Sequence, residues 1–277
     1  MTATLTRPAW TTDYEIEIFN RLISEYAPYL PLTKQYEPRP PKNKAEWETF
    51  YQYRIAGAAH DLFIVQITAK AIAQLFLENT VENADVQLFL SRQIGDDGAH
   101  SQDTRQRVKD LSGHDPVEAI NQQVQRHWDY IGDLPLRNWL GFIAYELHYE
   151  LHIVAILLLT SRLTRISEPQ SSAYAVERIL PDEAVHRLGV VEWWQRRYDQ
   201  ASAEERKAWA TQLLKLDNEL QLLRNPYLRD FWQRAQRALG FEVEGFDVIY
   251  DVWRRQVLSY LLEIPGDRLP KLVSIND

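Results

Sequence analysis

The chain has 277 residues, with 31 Lys and Arg against 39 Asp and Glu, a formal charge of −8 and no cysteine. Disulfides, thiolate-held zinc, cysteine-ligated iron–sulfur clusters and cysteine nucleophiles are therefore excluded, and any bound metal must rest on carboxylate, imidazole or water. An acidic chain without a basic block is a poor match for a nucleic-acid backbone, so no nucleic-acid partner is expected. The N-terminus has no basic stretch leading into an apolar one, and the longest apolar run, near 153–159, is too short to span a bilayer. A cytoplasmic protein with no membrane partner is the expectation.

Taken in chain order, the pattern is helical rather than alternating almost throughout. A short helix is expected over 13–27, followed by a proline-rich arm over 28–42. Long helices are expected over 44–78 and over 84–111, the latter with Asn83 as its cap. A shorter one follows over 116–130. A third long helix is expected over 135–163, with Pro135 in its first turn, and a fourth over 171–201, kinked or restarted at Pro181. Two or three more helices fill 203–262, where Trp209, Leu213, Leu216 and Leu220 recur at helical spacing as a buried stripe. The fold class expected is all-α: a ferritin-like four-helix bundle in one domain spanning 1–277, with its core at about 44–198 and peripheral helices at 203–262.

Two segments carry chemistry. Phe89 to His100 contains Asp97 and His100 at i,i+3, and Ile179 to Leu188 contains Glu183 and His186 at the same spacing. Each pair projects from one helix face. Between them the apolar stretch Trp139 to Val154 carries Glu146 and Glu150 at i,i+4. Carboxylates and imidazoles are costly to bury unless paired or bound to metal. A bundle that holds two divalent cations draws an acid-x-x-His pair from each of two helices and single acids from the others. This chain supplies both pairs, with Glu150 between them.

On these motifs, Arg92-Gln-Ile-Gly-Asp-Asp-Gly-Ala-His100 and Asp182-Glu-Ala-Val-His186, the chain resembles the ferritin-like di-iron carboxylate superfamily. The likeness is to its monooxygenase branch, as in the catalytic subunits of phenylacetyl-CoA epoxidases, and covers about 44–198. It implies an O₂-activating di-iron oxygenase or oxidase. Asp97, Glu150 and Glu183 would be the catalytic carboxylates and His100 and His186 the imidazole ligands. The third-helix glutamate of the family falls on Glu150, with Glu146 one turn earlier as the other choice. The family's first-helix carboxylate falls on Gln66, which offers a carbonyl oxygen but no charge. Either one metal is held more weakly, or Glu146 or Asp61 replaces that acid, or the site is degenerate. Asp97 stands where glutamate is usual, and its shorter reach demands closer helices.

Two iron ions are thus the expected cofactor, with manganese open because the donor types do not separate the metals. A small hydrophobic or CoA- or carrier-linked substrate and O₂ would meet in an apolar pocket drawn from Phe63, Ile64, Ile94, Phe142 and Ile153. A separate electron-donor protein is implied, because no nucleotide-binding glycine pattern occurs, and a homo-oligomer or multicomponent complex is expected. The competing readings are a non-catalytic ferritin-like subunit or binding protein and a metal-free helical partner-binding module. Individual residues also have plainer readings. His60 and Asp61 would form a surface pair, and Glu146 would meet an arginine such as Arg92 or Arg187. His148 and His152 would be packing histidines, and Tyr145 and Tyr149 core aromatics beside the acids.

Overall fold

The computed structural model describes residues 8–26, 39–78, 80–151, 167–239 and 246–275. Among them there are eight helices and no strand. In chain order these are α1 (Thr12–Tyr26), α2 (Lys44–Leu75), α3 (Val81–Ser112) and α4 (Val117–Ile131). Next, α5 begins as Trp139–Glu146 and runs on through a π-helical turn, Leu147–Leu151. In α6, Pro169–Tyr174 leads through a second π turn, Ala175–Ile179, into Leu180–Gln200. Finally come α7 (Ala203–Leu239) and α8 (Phe246–Leu262).

The helix starts follow local hydrogen bonding. Asn43 caps α2 by accepting from the Glu46 N–H at 3.0 Å, and the Glu46 carboxylate returns to the Lys42 N–H at 2.7 Å. The cap of α3 is Thr80, three residues before the expected position, and Asn83 supplies the N–H it accepts. At its far end Gly113 takes φ +74°, a left-handed stop that a side chain would oppose. Pro135 does not open α5. It sits in a 3₁₀ turn, Leu134–Leu136, and Asn138 caps the helix by accepting from the Gly141 N–H at 3.0 Å. In α6 the chain widens into a π turn just before Pro181, where a missing N–H and ring crowding disfavour an unbroken α-helix.

The helix pairs α2–α3, α2–α4, α2–α7 and α5–α7 make the most extensive contacts. Helix α2 is long and apolar enough by composition to cross a membrane. Here its Ala58, Ala59, Phe63, Ile64 and Ile67 are all buried in the core. Helix α5 is buried on every side from Leu140 to Glu150. A helix with no solvent face ordinarily carries only apolar groups, yet this one holds Glu146, His148 and Glu150. In α7, Leu213, Leu216 and Leu220 are buried and Trp209 packs against the same core. Arg187 of α6 and Trp10 both donate to the buried Glu15, which ties α1 beside the acid-bearing turn of α6.

Helices α3 and α6 cross where Gly189 meets Phe89. A Cβ at Gly189 would lie 2.1 Å from the Phe89 ring, so a side chain there would force that ring to move. The crossing is one turn from His186 on α6.

Candidate metal centre

Six ionisable side chains from three helices converge: Asp97 and His100 of α3, Glu146 and Glu150 of α5, and Glu183 and His186 of α6. All are buried. His100 Nδ1 lies 3.7 Å from both Asp97 Oδ1 and Glu183 Oε1. His186 Nδ1 lies 4.0 Å from Asp97 Oδ1, 3.7 Å from Glu150 Oε2 and 3.8 Å from Glu183 Oε2. Glu183 thus offers one oxygen to each imidazole, and Asp97 Oδ1 faces both. Asp97, Glu183 and His186 place one donor atom each within 4.8 Å of one another. These separations are too long for good hydrogen bonds. They suit donors that would share an ion about 2.0–2.2 Å from each.

The outer nitrogens of both imidazoles are held crosswise. His100 Nε2 is 3.1 Å from Asp182 Oδ2 on α6, and His186 Nε2 is 3.2 Å from Asp96 Oδ2 on α3. An ionised carboxylate only accepts, so each Nε2 carries a hydrogen. In a neutral ring Nδ1 then keeps its lone pair and turns it toward the acids, the arrangement by which carboxylates orient metal-binding histidines.

Gln93, one turn before Asp97, donates through Nε2 to Glu150 Oε1 at 2.8 Å and to Glu146 Oε2 at 3.3 Å. It holds the two α5 acids side by side. Glu150 itself lies in the π turn, and such turns recur at functional sites because they reset which side chains face inward.

The electrostatics show what the cluster lacks. Burial first, then the charges of Glu183 and Glu150, hold the Asp97 carboxyl well above its usual range. Burial and Glu150 do the same to Glu146, and Glu183 is raised for the same reasons. Glu150 also suffers burial, but His186 draws it down to about 2. His186, in spite of burial, is raised to about 12 by Glu150 and Glu183. A proton on Nδ1 therefore plays the part of a cation. Both Asp97 oxygens, Glu146 Oε1, Glu150 Oε2 and both Nδ1 atoms have no hydrogen-bond partner among the described residues. Buried polar atoms are seldom left so. Fully ionised, the four carboxylates would carry −4, which two divalent cations would neutralise, and the orphaned atoms are the oxygen and imidazole donors that iron or manganese takes. The residues present fit a two-metal site.

The structure corrects several sequence expectations. Gln66 does not join the acids. Its Oε1 accepts from Trp128 Nε1 at 2.9 Å, which directs it toward α4. Glu146 meets no arginine among the described residues, because Arg92 contacts Asp96 and Arg187 contacts Glu15. His60 and Asp61 contact each other at 3.3 Å but are only partly exposed, and the Tyr149 ring stacks on His60 at 5.2 Å. The expected pocket residues Phe63 and Phe142 pack into aromatic clusters with His127 and Phe76, and Ile153 and His152 lie outside the described residues. A cavity between α2, α3, α6 and α7 counts Glu183 among its lining residues. Arg54, Gly57, Asp61, Tyr227, Leu228 and Phe231 line it.

The structure also sets Asp96, Asp182 and Gln93 against the cluster, residues that the acid-x-x-His spacing does not single out. Their signal was nevertheless present: each acid-x-x-His pair is preceded directly by a second acid, and Gln93 lies at i−4 from Asp97 on the same face. Compared with protein-family models, curated proteins and solved structures, the chain matches none.

Proposed function

We propose that this protein is an O₂-activating oxidoreductase of the ferritin-like di-iron carboxylate type, with α2, α3, α5 and α6 as its four-helix bundle. One observation carries the reading. Among the described residues two imidazole Nδ1 atoms, both Asp97 oxygens and one oxygen each of Glu146 and Glu150 are buried without partners around Glu183, while both Nε2 atoms are held from behind by Asp96 and Asp182.

Asp97, Glu150, Glu183, His100 and His186 would hold two ions, with Glu146 as the further acid. When bound, a pair of ferrous ions supplies electrons for the reduction of O₂. The chain's own residues do the rest. Glu183 presents its two oxygens toward the two histidines and so spans both positions. Asp97 faces both as well. Gln93 fixes how Glu146 and Glu150 lie relative to each other, and Asp96 and Asp182 keep the imidazole lone pairs turned inward. The apolar surround of α5 keeps bulk water from the acids and limits side reactions of a strong oxidant. The substrate is a small apolar compound, or the apolar end of a carrier-linked one, and a separate protein delivers the electrons.

The degenerate-site reading drew its force from Gln66. With Gln66 directed to α4 and Glu146 beside Glu150, the acid count reaches four without it. Anaerobic titration with Fe(II), followed by metal analysis, tests the proposal. Two irons per chain are expected, together with O₂ uptake when reductant is added. An iron content near zero, with manganese equally absent, would overturn it.

A further inference from the structure

On α2, Arg54, Gly57 and Asp61 recur at i, i+3 and i+7 and share one face. That face forms one wall of the cavity that Glu183 also lines. The opposite wall is apolar, built from Tyr227, Leu228 and Phe231 of α7. The free space is about 80 Å³, against roughly 10–15 Å³ needed to seat one water. Glu183 is also the only one of the four acids with measurable side-chain exposure, at 9%. The cavity therefore borders the most accessible acid of the candidate metal centre.

Two features of this cavity suggest an occupant. Arg54 is half-buried, and its single hydrogen bond runs from Nη2 to Thr104 Oγ1 at 3.2 Å. No carboxylate lies within ion-pair distance of it among the described residues. The neighbouring Glu168 is already held by Arg107 at 2.9 and 2.6 Å and by the N–H groups of Gln170 and Ser171. Its charge is withdrawn from water with no ion pair to offset the cost; burial lowers the Arg54 pKa, and the more distant charges of Asp61 and Glu168 only partly oppose that. The second feature is Gly57, in mid-helix, where a Cβ would meet nothing within 4 Å. Alanine there would favour the helix by about 1 kcal/mol, so glycine at this point keeps the cavity wide at a cost in helix stability.

We propose that this cavity takes a small apolar monocarboxylic acid, with its carboxylate on Arg54 and its hydrocarbon end toward Glu183. Arg54 and Asp61 are two turns apart, about 10 Å along the helix, which matches a short acyl or phenylpropanoid chain. The planar guanidinium suits a carboxylate, which can accept two parallel hydrogen bonds. The wall of α7 covers the apolar part. As a substrate site the cavity rests on the metal-centre reading, but as a carboxylate site it stands on Arg54 and the cavity alone.

The test is calorimetric titration of the protein, its metal content measured first, with hexanoate and 3-phenylpropanoate against hexanamide and 3-phenylpropanamide. The acids are expected to bind at least about tenfold more tightly than the amides, the scale of a charge-assisted contact. Arg54→Gln should abolish that preference without changing metal content. Gly57→Leu, which keeps Arg54 and favours the helix, should block acids and amides alike. Equal binding of acid and amide, no binding of either, or a preference that survives in a folded Arg54→Gln protein would overturn the proposal. Should Arg54→Gln fail to fold, the wild-type comparison and Gly57→Leu still decide it. An Arg54-dependent preference in protein that takes up no metal would refute the metal centre and leave the carboxylate site. Two metals with no preference would do the reverse.

Discussion

Helix α5 points acids and a histidine into two buried polar clusters, and the two are resolved in opposite ways. On one side His148 Nε2 lies 2.9 Å from Asp217 Oδ1, while Asp217 Oδ2 accepts from Gln221 at 2.9 Å and from Arg254 at 3.0 Å. Although burial opposes its charge, His148 and Arg254 hold the Asp217 carboxyl far below the usual range. On the other side Glu146 and Glu150 join Asp97 and Glu183, and acids outnumber cations. Three of those four carboxyls are pushed up instead. Both clusters are buried, so burial alone does not mark a functional site. What separates them is whether the chain supplies its own counter-charge. Asp217 finds its counter-charge within the chain, and the contacts pin α5 to α7 and α8. In the Glu150 cluster the described residues bring more acids than cations, which is the imbalance that bound cations would correct.

Mutation should expose this difference most sharply. Asp217→Ala would strand Arg254 and His148 in the core and is expected to cost about 3–5 kcal/mol, with no direct effect on the metal ligands. Glu150→Ala should do the opposite. Removing one of four mutually repelling acids should leave the metal-free fold nearly as stable, while metal content falls. Thermal melts of the metal-free proteins, paired with metal analysis, check both. If Glu150→Ala melts as early as Asp217→Ala and keeps its metal, the contrast between the clusters is wrong.

Removing metal brings in pH. Asp97, Glu146 and Glu183 have folded-state values above their unfolded ones. Between the two values the native protein binds more protons than the unfolded chain, so stability falls as pH rises. In the metal-free protein this loss should begin just above the ordinary carboxylate range, near pH 4. Bound ions would displace those protons and reverse the trend, and at a thousandfold excess over Kd would contribute about 4 kcal/mol. Melting temperatures from pH 4 to 8, with and without Fe(II) under anaerobic conditions, should therefore diverge as pH rises. Parallel curves would mean that the acids never depended on a cation.

Much of this was legible in the chain. The all-helical class follows from period and from the scarcity of strand patterns. The pairing of acid with histidine at i,i+3 needs only the geometry of one helix, so Asp97–His100 and Glu183–His186 could be read directly. Glu150 could be read because an acid inside an apolar run demands a partner. Gln66 illustrates where such reading fails. It was reached by counting back from Asp97 across a turn of unknown geometry. Five residues separate it from Asp61, and at about 100° per residue the two point roughly 140° apart. A small error in register therefore moves a side chain from the cavity to the α4 side. The paired Asp217 cluster was unreadable for a related reason. Its members come from α5, α7 and α8, and no local spacing joins His148 to Asp217 or to Arg254.

The same limit hid Asp96 and Asp182, since each serves a histidine on the other helix, and their removal is the finest probe of the comparison. Both are partly exposed, with side chains 25% and 29% accessible, so loss of either should change metal-free stability by less than about 1 kcal/mol. Their effect should appear in metal affinity. Without Asp182 nothing fixes the His100 tautomer, and the ring can turn a protonated nitrogen toward the acids. Asp182→Ala should weaken binding at the His100 position, and Asp96→Ala at the His186 position, by roughly 10–100-fold each. Competition titration with a metal-sensitive chelator would resolve the two sites, and histidine ring ¹⁵N shifts in the metal-free protein would report the tautomer. Unchanged affinity with a redistributed tautomer would show that the acids at the centre orient the rings by themselves. A loss confined to the predicted histidine in each variant would show instead that the centre is assembled across helices, each motif's leading acid steering the imidazole of the other.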